Sequence, residues 1–312
     1  MYNGVINIYK EKGFTSHDVV AKLRGILKQK KIGHTGTLDP DAVGVLPVCL
    51  GKGTKLCDML TDKDKTYKAV LIFGTYTDTE DISGTIVESM DLEEIRNKIS
   101  DENIVDAIMS FKGEYDQIPP MYSAIKINGK KLYELAREGK VIERKPRRVS
   151  IIDINIEKID FPRVYIDVTC SKGTYIRSLI RDICEKLSVC GCMEELTRTR
   201  VSYFNIKDSL SLSQVEALVN EGKINEHIMP IDSVFAKYVA GEVLPEFNKI
   251  LYNGNQLRFE MIKFEIEPKL ADLIRIYDEN KNFIGIYRYE TNEDTFAQIK
   301  LVKMFYDGIG ER

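Results

Sequence analysis

Apolar residues that alternate with polar ones, or recur at helical spacing, divide most of the chain into strands and helices. Ile6 and Ile8 flank polar Asn7 and predict a short strand. Thr15 and Ser16 can cap the helix that follows. Strands are predicted over residues 66–77, 83–88, 147–159 and 163–170, and helices over residues 92–112, 175–187 and from about residue 211. Because these elements follow no regular βαβ order, we predict an α+β fold with a mixed, largely antiparallel sheet.

The pattern changes near residue 240. Residues 251–259, 273–290 and 299–306 predict short strands separated by Asn/Gly turns. We therefore divide the chain into a larger domain over residues 1–238 and a small β-rich domain over residues 239–312.

The composition is that of an ordinary globular protein, since 43% of the 312 residues are hydrophobic and 30% are charged. No apolar segment approaches the roughly 20 residues that a membrane-spanning helix needs. The N-terminal residues contain no apolar signal core. We therefore expect a cytoplasmic protein that does not bind membranes.

Three of the six cysteines, Cys184, Cys190 and Cys192, lie close together in the sequence and raise the question of a metal site. Their spacing matches no common zinc pattern, and the three histidines lie far away along the chain. We therefore predict buried or free thiols and no metal.

Two basic segments stand out against a net charge of −3. Residues 22–31 contain five basic residues and no acidic one, and residues 126–148 contain nine basic and three acidic residues. Such segments on a chain of negative net charge favour a protein that meets a polyanion on one face.

The glycine-rich segment over residues 30–55 places Asp39 directly before Pro40. Gly33 and Gly36 permit backbone conformations that a side chain would forbid, and Pro40 biases Asp39 away from the helical region. Two interpretations remain open at this point. The loop either presents a carboxylate for chemistry, or is a surface turn in which Asp39 accepts a hydrogen bond from a backbone amide.

Residues 39–43 also fit the D-x-D-x-[TV] pattern of haloacid-dehalogenase-like phosphatases. That family places its first aspartate at the end of an apolar strand, whereas the preceding residues here, GHTGTL, cannot form one. The sequence also lacks a convincing downstream acidic pair that could hold magnesium. We therefore reject this alternative.

Two further segments carry candidate functional side chains. Tyr67 precedes an alternating strand and is either a core aromatic or a platform on which a nucleic-acid base stacks. Arg177 and Arg181 lie at the start of a predicted helix, where a positive charge opposes the helix dipole. Each arginine is therefore either paired with an anion, a carboxylate or a phosphate, or is exposed to solvent.

Five sequence blocks occur in order along the chain: GHTGTLDPDAVGVLPVCLGKGTK, DKTYKA, TDTEDISG, QIPPMYSAIKINGKKLYELAREG and SKGTYIRSLIRD. Together they resemble the TruB family of bacterial tRNA pseudouridine-55 synthases, and the similarity extends over nearly the whole chain. The resemblance implies isomerisation of a uridine at position 55, in the T loop of tRNA, to pseudouridine by base flipping, without metal or bound cofactor. It also implies a pseudouridine-synthase catalytic domain followed by a small PUA-like RNA-binding domain.

The resemblance assigns roles to single residues. Asp39 matches the catalytic aspartate, Arg177 the arginine that pairs with it, and Tyr67 the tyrosine that stacks on the target base. Relatives usually have proline where this chain has Glu11, next to one of the matched residues. Further matches to substrate-binding residues are His34, Tyr175, Leu196 and Lys10.

An insertion at about residues 121–148 matches one that grips the T loop in relatives. The implied partner is tRNA, bound by a monomer with no obligate protein partner. The alternative is a non-catalytic tRNA-binding or tRNA-folding protein of the same architecture, but a pure binder has no need of Asp39, Tyr67 and Arg177 together. The candidate RNA-binding residues of the insertion are Lys126, Lys130, Lys131, Arg147 and Arg148.

Overall fold

Two β-sheets with helices packed against them form the frame of the molecule, seen here in a computed structural model. The structure describes residues 1–127, 129–291 and 297–306. Residues 128, 292–296 and 307–312, over which the predicted insertion and C-terminal domain also extend, lie outside the described residues.

The elements alternate irregularly along the chain, as the sequence predicts. The strands are β1 (Gly4–Lys10), β2 (Ile32–His34), β3 (Val43–Leu50), β4 (Lys65–Phe73), β5 (Thr75–Thr77), β6 (Ile86–Ser89), β7 (Gly113–Gln117), β8 (Lys126–Ile127), β9 (Lys130–Lys131), β10 (Arg147–Asp160), β11 (Arg163–Cys170), β12 (Gly191–Val201), β13 (Phe204–Asn205), β14 (Val239–Val243), β15 (Leu257–Arg258), β16 (Ile262–Phe264), β17 (Leu273–Tyr277), β18 (Phe283–Thr291) and β19 (Ala297–Met304). The α-helices are α1 (Ser16–Ile26), α2 (Cys57–Thr61), α3 (Leu92–Lys98), α4 (Asp101–Met109), α5 (Leu132–Arg137), α6 (Ile176–Leu187), α7 (Leu212–Asn220) and α8 (Asn248–Tyr252).

The first sheet has the strand order β1-β3-β12-β4-β11-β10-β7, with β2 paired to β3 and β13 paired to β12. Strands β3 and β12 run parallel, and the remaining described pairs of this sheet run antiparallel. The prediction of a mixed, largely antiparallel sheet is therefore confirmed. This order places β3, β12 and β4 next to one another, below the loop that carries Asp39.

Helices cover the first sheet and bury apolar residues against it. Thr15 caps α1 through a reciprocal capping box with Asp18, which fixes where the helix begins. Leu179 and Ile183 of α6 pack with Leu71 of β4 in the larger core cluster. In the described part of the chain no helix is long and apolar enough to cross a membrane, and the longest, α6, has 12 residues.

The second sheet has the strand order β15-β19-β18-β17-β14-β16 and confirms a small β-rich C-terminal unit. Its first strand in the chain, β14, begins at Val239, next to the predicted boundary, which itself stays a prediction. The two sheets share an apolar cluster in which Val5 and Cys49 pack with Ile286 and Phe305. The second sheet is therefore docked on the first by burial of apolar side chains.

Three segments differ from the sequence prediction. The strand predicted over residues 66–77 is interrupted at Gly74, whose φ of 101° leads into a separate β5–β6 hairpin. The helical segment over residues 92–112 is divided in two, because Ser100 caps the N-terminus of α4. The strand predicted from residue 251 begins instead with the end of α8, and β15 follows after the turn.

Candidate active site

The loop between β2 and β3 is fixed at several points. The side chain of Thr35 donates a hydrogen bond to a carbonyl of β3 at 3.2 Å. The amide of Leu38 donates to the hydroxyl of Ser16, the first residue of α1, at 2.9 Å. Gly36 has a φ of 137°, a conformation that side chains rarely adopt. The loop therefore holds Asp39, the next residue after Leu38, in one place.

The carboxylate of Asp39 is held at both oxygens by Arg177. The Nε of Arg177 lies 3.0 Å from Oδ2 of Asp39, and its Nη2 donates to Oδ1 at 3.2 Å. Two parallel bonds of this kind fix orientation as well as position. The side chain of Arg177 is 5% exposed and that of Asp39 is 39% exposed. The carboxylate of Asp39 therefore reaches solvent, while the guanidinium that binds it is buried.

Arg177 also joins three separate segments of the chain. Its Nη1 donates to the carbonyl of Thr79 at 2.8 Å, and its Nη2 donates to the carbonyl of Tyr122 at 2.9 Å. Asp81 lies 3.8 Å from its Nε. The guanidinium thus ties the Asp39 loop to the β5–β6 hairpin and to the start of the insertion.

The neighbouring arginine of the same helix holds the hairpin in place. Arg181 pairs with Glu80, and Ser178 donates to the other oxygen of Glu80 at 2.7 Å. The amide of Met193 in β12 donates to the carbonyl of Glu80 at 3.2 Å. Glu80 lies between the two hairpin residues that contact Arg177, so this second pair supports the first. Of the partners considered for the two arginines, the structure shows carboxylates: Asp39 for Arg177 and Glu80 for Arg181.

Opposing effects act on the pKa of Asp39. Burial raises it above its usual value, and the nearby Asp81 carboxylate raises it further. The guanidinium of Arg177 and the ammonium of Lys10 lower it, but the net pKa remains raised. Removing either cation should therefore favour the neutral acid.

Tyr67 lies in β4 and packs in the same cluster as Leu38 and Ala42 of the loop. Its side chain is buried, which agrees with a core aromatic. Burial raises the pKa of the Tyr67 hydroxyl to about 12, so the hydroxyl stays protonated at neutral pH. Stacking of a base on this ring stays a prediction.

Arg198 of β12 is a functional candidate that the sequence analysis missed. It is fully buried, and its Nε and Nη2 donate to the carbonyls of Val45 (2.7 Å) and Gly36 (3.2 Å). These two residues flank the loop that carries Asp39, so Arg198 holds both of its ends. The threonines on either side of Arg198 gave no signal, because an alternating strand does not say which face a basic residue occupies.

Lys10 fastens the same loop from β1. Its buried Nζ donates to the carbonyls of Glu11 (3.2 Å), Phe14 (2.6 Å) and Pro40 (3.0 Å), the last being next to Asp39. Burial lowers the pKa of Lys10 to about 8, against the opposing effect of Asp39. The ammonium group faces backbone carbonyls, and its predicted contact with substrate stays a prediction.

The remaining predicted substrate-binding residues surround this centre. His34 ends β2, and its Nδ1 accepts a hydrogen bond from the amide of Gly36 at 3.3 Å. Burial lowers the pKa of His34, so the ring is neutral at pH 7. Tyr175 precedes α6, and burial raises the pKa of its hydroxyl. Leu196 of β12 lies in the cluster of Tyr67.

Comparison with known proteins places the chain in a family. The family model described as TruB family pseudouridylate synthase (N terminal domain) matches residues 24–176, and the one described as tRNA pseudouridylate synthase B C-terminal domain matches residues 177–236. The chain belongs to the TruB family. Both the Asp39 loop and Arg177 lie within the matched ranges, whereas residues 237–312 lie outside both.

Relatives of the family match over nearly their whole length. The tRNA pseudouridine synthase B of Lachnoclostridium phytofermentans is 51% identical over 309 residues, covering 96% of this chain and 99% of the relative. That of Clostridium tetani is 44% identical, covering 97% and 99%. Among solved structures, a Cbf5-Nop10-Gar1 complex contains a chain that is 26% identical with a TM-score of 0.71, covering 97% of this chain and 85% of its own.

In this TruB-family chain the basic insertion forms a small unit of its own. Strands β8 and β9 pair with each other, and α5 follows directly. Lys126 and Lys130 are exposed, and Lys131 donates to the hydroxyl of Tyr133 at 3.2 Å. Lys130 lies 3.4 Å from Glu138, so part of its charge is already balanced.

Arg147 and Arg148, at the end of the insertion, differ in their surroundings. Arg148 lies 3.3 Å from Glu114 and 3.2 Å from Asp116, both in β7. Arg147 is exposed and forms no ion pair with a described residue. Because neighbouring residues of a strand face opposite sides of the sheet, Arg147 is directed away from the carboxylates that Arg148 contacts.

The six cysteines are free thiols, among them Cys184, Cys190 and Cys192. Within residues 1–127, 129–291 and 297–306, no group of three or more His, Cys, Asp or Glu side chains is placed to hold a metal ion. The chemistry that the described site offers is that of one partly exposed carboxylate held by a buried arginine, beside a neutral tyrosine and a neutral histidine.

Proposed function

We propose that this protein converts the uridine at position 55, in the T loop of tRNA, to pseudouridine. The observation that carries the proposal is the Asp39 carboxylate, partly exposed and bound at both oxygens by the buried Arg177. Membership of the TruB family and relatives named tRNA pseudouridine synthase B support the substrate and the reaction.

The reaction moves one glycosidic linkage without a change of oxidation state overall. The bond between ribose C1′ and N1 of uracil breaks, the base turns, and a bond forms between C1′ and C5. The hydrogen of C5 is lost as a proton, and N1 gains a proton. Asp39 at the junction of ribose and base can attack the sugar as a nucleophile or take a proton from it as a base. Both routes need a carboxylate in a fixed position.

The target uridine has to leave the folded T arm to reach Asp39. In this proposal the ring of Tyr67 stacks on the flipped base, and His34 helps to displace the nucleotide and fill its space. Tyr175 and Leu196 line the same position. The low exposure of Tyr67 and Leu196 fits an apolar floor that a base covers on binding.

The remainder of the chain would hold the tRNA. Residues 1–238 form the catalytic domain, the insertion over residues 121–148 grips the T arm, and residues 239–312 form a PUA-like domain that contacts the acceptor side. The protein acts as a monomer in the cytoplasm, where its tRNA substrate is found, without an obligate protein partner.

A direct experiment tests the reaction. An unmodified tRNA transcript is incubated with wild-type protein or Asp39→Asn, without added metal or cofactor, and pseudouridine is mapped by carbodiimide labelling and primer extension. We expect a single T-loop stop with wild type and none with the variant. Folded, tRNA-binding wild-type protein that yields no pseudouridine would contradict the proposal and favour a tRNA-binding protein.

A further inference from the structure

Five basic residues lie in and after α1, and we call them together the Lys22–Lys31 surface. It consists of Lys22, Arg24, Lys28, Lys30 and Lys31. All five side chains are exposed, and none of them lies within 4.0 Å of a carboxylate in the described residues. In the insertion, by contrast, Lys130 lies next to Glu138, and Arg148 lies next to Glu114 of β7. The surface therefore keeps the full positive charge that its composition indicates, whereas part of the charge of the insertion is balanced.

Acidic residues on the packed elements do not neutralise this surface. Asp18 of α1 is taken up by the capping box with Thr15. On α7, which shares a core cluster with α1, Glu216 forms no ion pair with the described residues. Glu221, just beyond α7, pairs instead with Lys223. Five like charges within ten residues repel one another, and a polyanion relieves that repulsion.

The backbone under the surface is held rigidly. Gln29 is buried and accepts a hydrogen bond from the amide of Tyr2 at 2.7 Å. Its Nε2 donates to the carbonyls of Tyr2 (3.0 Å) and Lys31 (3.3 Å). The turn that carries the last three lysines is therefore fixed before any partner binds, which lowers the entropy lost on binding.

The Lys31 end of the surface is connected to both the candidate active site and the second sheet. Lys31 stands three residues before His34, a distance of about 10 Å along an extended chain. The carbonyl of Lys31 accepts a hydrogen bond from the amide of Gly51 at 2.8 Å. Four residues later, Lys55 donates to the carbonyl of Met304 in β19 at 3.0 Å. An RNA that contacts both the candidate active site and the second sheet can therefore also contact this surface.

We propose that the Lys22–Lys31 surface binds the phosphate backbone of the tRNA stem that adjoins the T loop. Residues 22–31 contain no aromatic side chain on which an unpaired base could stack. Recognition by lysine and arginine alone suits a regular helix read by its phosphates. The inference rests on the proposed function, because it needs a tRNA whose target uridine is at Asp39.

The test compares two triple variants of equal net charge. Lys28→Gln, Lys30→Gln and Lys31→Gln remove charge from the surface. Lys112→Gln, Lys158→Gln and Lys223→Gln remove the same charge from exposed lysines that pair with carboxylates. The Kd for tRNA is measured over a range of salt concentrations, together with kcat and KM for pseudouridine formation.

The surface variant should raise the Kd for tRNA about tenfold near 0.1 M salt and make the plot of log K against log salt shallower by about two to three units. The loss in activity should appear in KM. The control variant should stay within about twofold of wild type in Kd. Equal effects of the two variants would overturn the inference, since net charge alone would then explain them.

A second substrate locates the contact. A T-loop hairpin with its stem cut to a few base pairs should bind the surface variant and wild type equally, whereas a hairpin with the full stem should discriminate between them. An equal loss on both hairpins would show that the surface does not contact the stem. Because binding is measured independently of turnover, absence of pseudouridine would contradict the proposed function without deciding this inference.

Discussion

Arginine and lysine side chains differ in burial and in their partners between two regions of the molecule. Around Asp39, the side chains of Arg177, Arg198 and Lys10 are buried and donate to backbone carbonyls of fixed segments. In the insertion, Lys130 and Arg148 are exposed and lie beside carboxylates that are exposed as well. The residue types are the same, but the buried cations have backbone partners within the protein, whereas the exposed cations can exchange a carboxylate for a phosphate.

The difference predicts two kinds of effect. Removing a buried cation leaves carbonyl groups unsatisfied and displaces the loop, so it should act on turnover. An exposed ion pair contributes about 0 to 1 kcal/mol, so its cation can exchange a carboxylate for a phosphate at little cost. Removing it should act on affinity and on its salt dependence.

Arg177→Lys should have the largest effect. Lysine keeps the charge but cannot bind both oxygens of Asp39 or reach the carbonyls of Thr79 and Tyr122 together. We expect kcat to fall about 100- to 1,000-fold, with the Kd for tRNA nearly unchanged, in single-turnover assays.

The matched control for this variant is Arg163→Lys. Arg163 binds both oxygens of Glu194 at 2.6 and 2.8 Å, in a pair that lies outside the site. It should leave kcat within about twofold of wild type. If Arg177→Lys also kept wild-type turnover, the buried pair would have no part in positioning Asp39.

Arg198→Met should lower kcat about 10- to 100-fold with little change in KM, because the loop loses its two donors from β12. Arg198→Lys should recover part of the loss, since one donor remains. Steady-state kinetics give the split between kcat and KM, and circular dichroism checks that both variants fold. A rise in KM alone would place Arg198 in binding and contradict a positioning role.

The sequence could predict the Asp39–Arg177 pair because two signals agree on it. Pro40 and the glycines indicate a constrained loop, and an arginine at a helix start favours an anionic partner. The resemblance to the TruB family then joins the two positions, which stand 138 residues apart. Neither signal alone would have paired them.

Arg198 could not be predicted, because its burial depends on long-range register. In the sheet, Arg198 stands opposite Tyr67 on one side and Gly44 on the other. A Cβ at Gly44 would lie 2.2 Å from the carbonyl oxygen of Arg198, so glycine is required there. That requirement is visible only once β3 and β12 are placed side by side. The inward direction of Lys10 depends in the same way on Pro40, 30 residues away.

Charge counting alone does not show how much of the positive charge of the insertion is balanced. Residues 126–148 carry the larger excess of basic residues, yet Arg148 and Lys130 lie beside carboxylates in the fold. Strand alternation in β10 does indicate that Arg147 and Arg148 face opposite ways. The count treated them as equal.

Neutralising Lys130, Lys131, Arg147 and Arg148 to glutamine should raise the Kd for tRNA about tenfold and flatten its salt dependence. Among the single variants, Arg147→Gln should weaken binding more than Arg148→Gln, because Arg148 already has Glu114 and Asp116 as partners. Filter binding over a salt series measures both quantities. An unchanged salt slope in the fourfold variant would show that the insertion does not face the RNA.

The pH dependence of stability should distinguish the buried Lys10 from the exposed cations of the insertion. Lys10 has a pKa of about 8 in the folded protein against 10.5 without burial. Between these values the unfolded chain binds one more proton than the folded one, so the free energy of unfolding should rise with pH. The rise from Lys10 should approach about 1 kcal/mol per pH unit above pH 8. Below pH 8 both states are protonated and the contribution is flat.

Lys10→Met isolates this contribution, since methionine fills similar space and does not titrate. Urea unfolding of both proteins at pH 7.5, 8.5 and 9.5 gives the difference in free energy of unfolding at each pH. We expect the free energy of unfolding of the wild type to increase relative to that of the variant as the pH rises. If the free energies of unfolding of the two proteins changed with pH in parallel, the Lys10 ammonium would not be desolvated. Its interaction with the Pro40 carbonyl would then resemble that of an exposed lysine on the insertion.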